Sequence, residues 1–149
     1  MSAADVASIY NAGPAGKRPF SPLEQWKLGY LGDANAPDSG DPDGDGQTNL
    51  FEFVAGLIPT DATSRFKLEI APVPDPSHPG QFIAGQKNLI FSPRFADRAY
   101  VVTFKDDLSA ATWLVLTGAT MTDNGQQRTV TDPNASSLKK VYRVEITKP

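Results

Sequence analysis

Residues 33–61 hold seven carboxylates (Asp33, Asp38, Asp41, Asp43, Asp45, Glu52 and Asp61) and no lysine or arginine. The whole chain is only at −3, so the flanking segments are net basic and the negative charge is concentrated in this stretch. A block of this kind repels itself. It either stays a solvated linker or folds around something cationic.

The spacing inside the block decides between these. Residues 41–52 read Asp-Pro-Asp-Gly-Asp-Gly-Gln-Thr-Asn-Leu-Phe-Glu. Acids at the first, third and fifth places, glycine at the sixth and glutamate at the twelfth satisfy the EF-hand loop pattern. Asp41, Asp43 and Asp45 would each give a carboxylate oxygen, and Gly46 lets the chain turn sharply. Gln47 would offer its backbone carbonyl, Asn49 would bind directly or through a water, and Glu52 would give both oxygens from the following helix. A flexible set of hard oxygens suits Ca²⁺ better than Mg²⁺, which keeps its waters in a tight octahedron. Thr48 stands where paired loops carry an apolar β-branched residue, and no second matching loop follows. The spacing therefore predicts a lone calcium loop. Asp33 and Asp38 are left as further candidate ligands.

Around the loop the chain divides into three. Residues 1–19 read as a short helix (residues 2–13, with Val6, Ile9 and Tyr10 on one stripe) and a linker rich in Gly and Pro. Residues 20–63 read as helix, calcium loop, helix. Ser21-Pro22-Leu23-Glu24 is a capping-box start. Trp26 is the expected shared core residue, and Leu50, Phe53, Val54 and Leu57 form the expected apolar face of the second helix. From residue 64 to 149 the period changes to alternation: Phe66, Leu68 and Ile70; Leu89 and Phe91; Tyr100, Val102 and Phe104; Trp113 and Val115; residues 128–131; Tyr142, Val144 and Ile146. Strands so close together leave no room for crossover helices, which predicts an antiparallel β-sandwich of immunoglobulin or fibronectin III type. The 12 glycines and 13 prolines agree with a turn-rich, mainly β chain carrying a small α part.

Composition removes several function classes. With no cysteine and a single histidine, His78, thiolate metal sites, disulfides and His-rich zinc sites are excluded. No apolar run reaches the roughly 18–20 residues of a membrane span. The net charge disfavours nucleic acid as a partner.

The segments 41–46 and 48–53, with Trp26 before them and Gly56 and Pro59 after, resemble the calcium-binding linker of large secreted bacterial proteins. That linker is similar to dockerin and thrombospondin type 3 calcium repeats. In that architecture a small C-terminal β-sandwich follows, which residues 100–113 and Val141-Tyr142-Arg143-Val144 resemble. Residues 2–13 resemble the last helix of a laminin-G/concanavalin-like domain. The resemblance implies an extracellular location, an upstream domain of the same polypeptide as partner, and a calcium-stiffened junction.

Other chemistry-bearing residues are read as structural. Tyr100, Trp113 and Tyr142 fall in phase with their strands and are assigned to the core instead of a sugar-stacking platform. Asp106 and Asp107 are read as a turn, and His78 as a solvated loop residue. The expectation is a non-catalytic calcium-binding structural or adhesion module. A carbohydrate-binding sandwich is the alternative, with glycans or cell-surface components as possible ligands.

Overall fold

A computed structural model describes residues 18–136 and 139–149; the helix expected over residues 2–13 lies outside them. Helix α1 (Pro22–Leu31) starts as its sequence dictates. The Glu24 N–H donates to Ser21 Oγ at 3.2 Å, and the Ser21 N–H donates to the Glu24 carboxylate at 2.8 Å. Two orphan donors are thereby satisfied at once. Gly32 ends the helix at φ 73°. Helix α2 (Asn49–Ala55) is capped by Thr48 and stopped by Gly56 at φ 80°. Trp26 joins the two helices, its ring 5.3 Å from Tyr30 and 5.8 Å, edge-on, from Phe53.

Beyond them lie two antiparallel sheets. One has the order β1-β2-β6-β5 and the other β4-β3-β7. Their strands are β1 (Lys67–Pro74), β2 (Phe82–Ser92), β3 (Ala99–Lys105), β4 (Leu114–Val115), β5 (Thr120–Asn124), β6 (Gln127–Asp132) and β7 (Val141–Thr147). The core between the sheets is Leu89, Phe91, Val102 and Val130, flanked by Phe66, Tyr100, Leu116, Tyr142 and Val144. Strand β5 has no counterpart in the sequence expectation, because Thr-Met-Thr-Asp-Asn lacks an apolar alternation. It forms because Gly125, at φ 59°, closes a hairpin that pairs Asn124 with Gln127.

Two expectations are corrected. Tyr100 and Tyr142 do face the core, but Trp113 does not. Its ring lies against Lys105 Nζ (5.2 Å from the centroid) and the Arg143 guanidinium (4.4 Å). Register explains this: Val115 pairs with Thr103 and Thr103 with Arg143, so these side chains share the outward face. The inward phase in that segment belongs to Leu114 and Leu116. The second correction is in α2, which buries Asn49, Glu52 and Ala55 while Leu50 is 42% exposed. The polar stripe turns inward because the acidic loop, not an apolar surface, lies against it.

One buried polar cluster ties the sheets together. Asp132, at the end of β6, meets Lys140 Nζ at 2.6 Å, the Tyr142 hydroxyl at 2.7 Å and the Asn134 N–H at 2.8 Å. Lys140 also lies 4.0 Å from the Phe104 ring centroid. Burial alone would push the Asp132 carboxyl up, but these three donors hold it below the usual carboxylate range. Burial and the Asp132 charge push the Tyr142 hydroxyl well up.

Candidate metal centre

The acidic loop winds back on itself through its own carboxylates. Asp41 Oδ1 accepts from the Gly44 N–H at 2.9 Å, and Asp41 Oδ2 from the Gly46 N–H at 2.9 Å. Asp43 Oδ1 accepts from the Asp45 N–H at 3.2 Å, and Asp45 Oδ1 from the Gln47 N–H at 2.7 Å. Gly44 and Gly46 take φ 74° and 91°, left-handed values that a side chain would resist. The result brings one carboxylate oxygen from each of Asp41, Asp43 and Asp45 within 4.8 Å of the others.

Helix α2 lies beside this group, close enough for its Glu52 to feel the three charges, although the Glu52 oxygens are not among those that gather within 4.8 Å. The loop is stapled to its first turn: the Asn49 N–H donates to Gly40 O at 2.8 Å, the Leu50 N–H to Asp38 O at 3.0 Å, and Asn49 Nδ2 to Pro37 O at 2.8 Å. A Cβ on Gly40 would stand 2.7 Å from Asn49 Nδ2, so this approach needs glycine. Asn49 and Glu52, three residues apart on one helical face, are 1% and 0% exposed.

Their oxygens are unpartnered. Asp43 Oδ2, Asp45 Oδ2, Asn49 Oδ1 and both oxygens of Glu52 are buried without a hydrogen-bond donor. Among the described residues no lysine, arginine or histidine forms an ion pair with Asp41, Asp43, Asp45 or Glu52. Burial pushes the Glu52 carboxyl up to about 7, and the charges of Asp43, Asp45 and Asp41 add to the shift. Burying an ionised carboxylate without a donor or counter-charge costs several kcal/mol. The set is acceptor-only, oxygen-only and net negative, which is the chemistry of a hard divalent cation site. A cation would satisfy these orphaned oxygens, so the residues present fit the group.

The remaining acids are engaged elsewhere. Asp38 Oδ1 pairs with Lys27, a cation only 5% exposed on α1. Asp33 Oδ1 accepts from the Asn35 N–H at 2.8 Å in a local turn. Neither joins the Asp41, Asp43 and Asp45 group. Lys27 was missed in the sequence, although its place four residues after Leu23 sets it on the apolar stripe of its helix. Gln47 plays a second part. Its side chain exchanges two hydrogen bonds of 3.0 Å with the backbone of Phe66, which leads into β1. This leaves its carbonyl, not its amide, as the candidate ligand. Asp107, read as a turn residue, does form one, accepting from the N–H and hydroxyl of Ser109, and His78 is an exposed loop residue held by Asp75 at 2.8 Å.

No family model, no curated protein and no solved structure matches the chain.

Proposed function

We propose that this chain is a non-catalytic, extracellular calcium-binding structural or adhesion module, in which one Ca²⁺ fastens the helical segment to the β-sandwich. The observation that carries the reading is Glu52: a fully buried carboxylate with neither oxygen partnered, facing three further carboxylates. The ion would be held by Asp41, Asp43, Asp45, Asn49 and Glu52 with the Gln47 carbonyl. When bound it supplies positive charge and cross-linking, not reactivity.

Several contacts make this ion a fastener of the junction. The Gln47 amide grips the chain at Phe66, Arg98 Nε donates to Val54 O at 2.6 Å, and the rings of Phe51, Phe66, Phe91 and Tyr100 run in sequence from α2 into the core. The sandwich is read as immunoglobulin- or fibronectin III-like, supported by its two-sheet order and its hairpin and cross-sheet connections. An upstream domain of the same secreted bacterial polypeptide is the proposed partner.

Calcium titration calorimetry with parallel thermal melts tests the reading. For a Kd of about 10⁻⁴ M and about 1 mM calcium, the ion should stabilise the fold by about 1.4 kcal/mol. A melting curve indifferent to EDTA would overturn it. One observation favours the carbohydrate-binding alternative, the outward placement of Trp113. Because Lys105 and Arg143 already lie against that ring, a glycan would have to displace them, and a glycan array on the wild type and Trp113→Ala decides the matter.

A further inference from the structure

A cleft of about 480 Å³ opens where the helical segment passes into the sandwich. Leu57 and residues 63–65 line it from the helical side, and the end of the β1-β2-β6-β5 sheet lines it from the other. Register explains the sheet side. Lys67 pairs with Ser92 and Asn124 with Gln127, while Phe91 pairs with Arg128, so Ser92 and Gln127 come side by side one step further along. Lys67, Ser92, Gln127 and Asn124 thus form one row across four strands. The next row holds Phe91, buried between the sheets, so this one faces outward. Phe66 also turns its ring to the core, and its neighbours Arg65 and Lys67 both line the cleft.

The lining is cationic and uncommitted. Among the described residues Arg65 is the one arginine without an acid: Arg18, Arg94, Arg98, Arg128 and Arg143 each form an ion pair. Lys67 and Glu69, neighbours on the outward face of β1, form none. Nor do the side chains of Ser92, Asn124, Gln126 and Gln127 make a hydrogen bond to any described residue. The acids close by in sequence are spent elsewhere. Asp61 accepts from the N–H and hydroxyl of Thr63, and Asp123 is held by Arg128 at 2.6 and 2.8 Å and by Arg94 at 3.4 Å. No described carboxylate or aromatic ring lines the cleft.

We propose that this cleft binds an acidic saccharide, with a carboxylate or sulfate of the sugar set against Arg65 and Lys67. Two cations without an acid call for an anion, and the guanidinium offers a planar fork to its oxygens. Hydroxyl and amide side chains that can both donate and accept suit the hydroxyls of a sugar ring. A neutral sugar would look for an aromatic face to stack on and find none, so charge has to supply the affinity. An acidic peptide would find only Leu57, 3% exposed, and Pro93 for its apolar side chains. The grip of Gln47 on Phe66 fixes the backbone between the two cations, so the chain that carries them is ordered before the ligand arrives.

The test titrates the full chain in EDTA, where no calcium can bridge a sugar to the acidic loop. The probes are a galacturonate, a sulfated galactose and a neutral galactose tetrasaccharide, followed by amide NMR and calorimetry. The expected result is saturable binding of an acidic sugar, weakened by salt, with shifts centred on residues 64–67, 92 and 124–127. The neutral sugar should bind at least about tenfold more weakly, and the tighter of the two acidic sugars identifies the anion. Arg65→Gln should cost at least about tenfold and Lys67→Gln less. Lys87→Gln, which removes the same charge five residues back along β2 from Ser92, should change affinity by less than about twofold. No binding of either acidic sugar, equal binding of the neutral one, or an Arg65→Gln variant that binds like wild type would each overturn the proposal. Shifts centred on Trp113, equally tight binding of inorganic sulfate, or equally tight binding of an oligoglutamate peptide would overturn it as well. The cleft uses none of the calcium ligands, so this inference and the calcium reading can fail separately.

Discussion

Among the described residues two carboxylates are almost fully buried, and they are built in opposite ways. Asp132 is surrounded by donors: an ammonium, a phenol and a backbone N–H all reach it. Glu52 has no donor, and its nearest charges have its own sign. The first is complete as a chain of amino acids, and its counter-charge is written into the fold. The second is left uncompensated by any described residue, which is why a cation is proposed there. Burial of an acid is thus no evidence of a site by itself; burial without compensation is.

The largest effect should come from breaking the complete pair. Lys140→Met leaves Asp132 buried and uncompensated and should destabilise the protein by about 3–5 kcal/mol in urea unfolding. Calcium should rescue none of it. Rescue by calcium would mean that the sandwich and the loop are not separate electrostatic units.

The pH dependence should set the two acids against each other. In the metal-free fold Glu52 keeps its proton up to about 7, against an ordinary value of 4.5. The fold then binds that proton more tightly than the unfolded chain, so the contribution is full below pH 4.5 and is lost as pH rises through about 7. Urea unfolding in EDTA should show a loss of about 2–3 kcal/mol between pH 5 and pH 8, and calcium should abolish the slope. Asp132 is held below its ordinary value of 3.8, so its contribution is present above that pH and lost as pH falls through the lowered value.

Glu52→Gln should split the two states of the loop. Without metal, at pH 8, removing an unpaired buried charge should stabilise the protein by about 1–2 kcal/mol. With calcium the same change should cost at least about tenfold in affinity by calorimetry, since the bidentate anion is gone. A change of the same sign in both states would contradict a cation at Glu52. The smallest effect belongs to Asn49→Ala. A water can replace its oxygen, so calcium affinity should fall by less than for Glu52→Gln. The lost bond to Pro37 should cost about 1 kcal/mol with or without calcium.

The divide between what the sequence reveals and what it hides follows the range of the interactions. Asp41, Asp43, Asp45 and Gly46 lie within six residues, so their spacing alone specifies the turn, as does the capping box of Ser21 and Glu24. The strands of Leu89 and Phe91 and of Tyr100 to Phe104 show in their alternation. The outward face of Trp113 is not legible locally, because phase beside a two-residue strand depends on its partner: Thr103 sets the face, not the local pattern. The inward stripe of Asn49 and Glu52 was hidden by the apolar residues beside it, because hydrophobicity says nothing about a surface of carboxylates opposite. The Asp132 and Lys140 pair spans the two sheets and exists only once they are packed.

The grip of Gln47 on Phe66 makes a loop of chain redundant under tension. The two residues are 19 positions apart, yet an amide joins them directly. Load applied to the ends of the chain would pass from the calcium loop into the first strand across that amide and bypass the stretch between. Should the grip give way and α2 unravel, the hidden length released would be up to about 6 nm. Single-molecule stretching in calcium should raise the force at which a step of that size occurs, relative to EDTA; a step insensitive to calcium would show that the amide bears its load without the ion. The junction would then yield in stages, lengthening before the sandwich itself is asked to open.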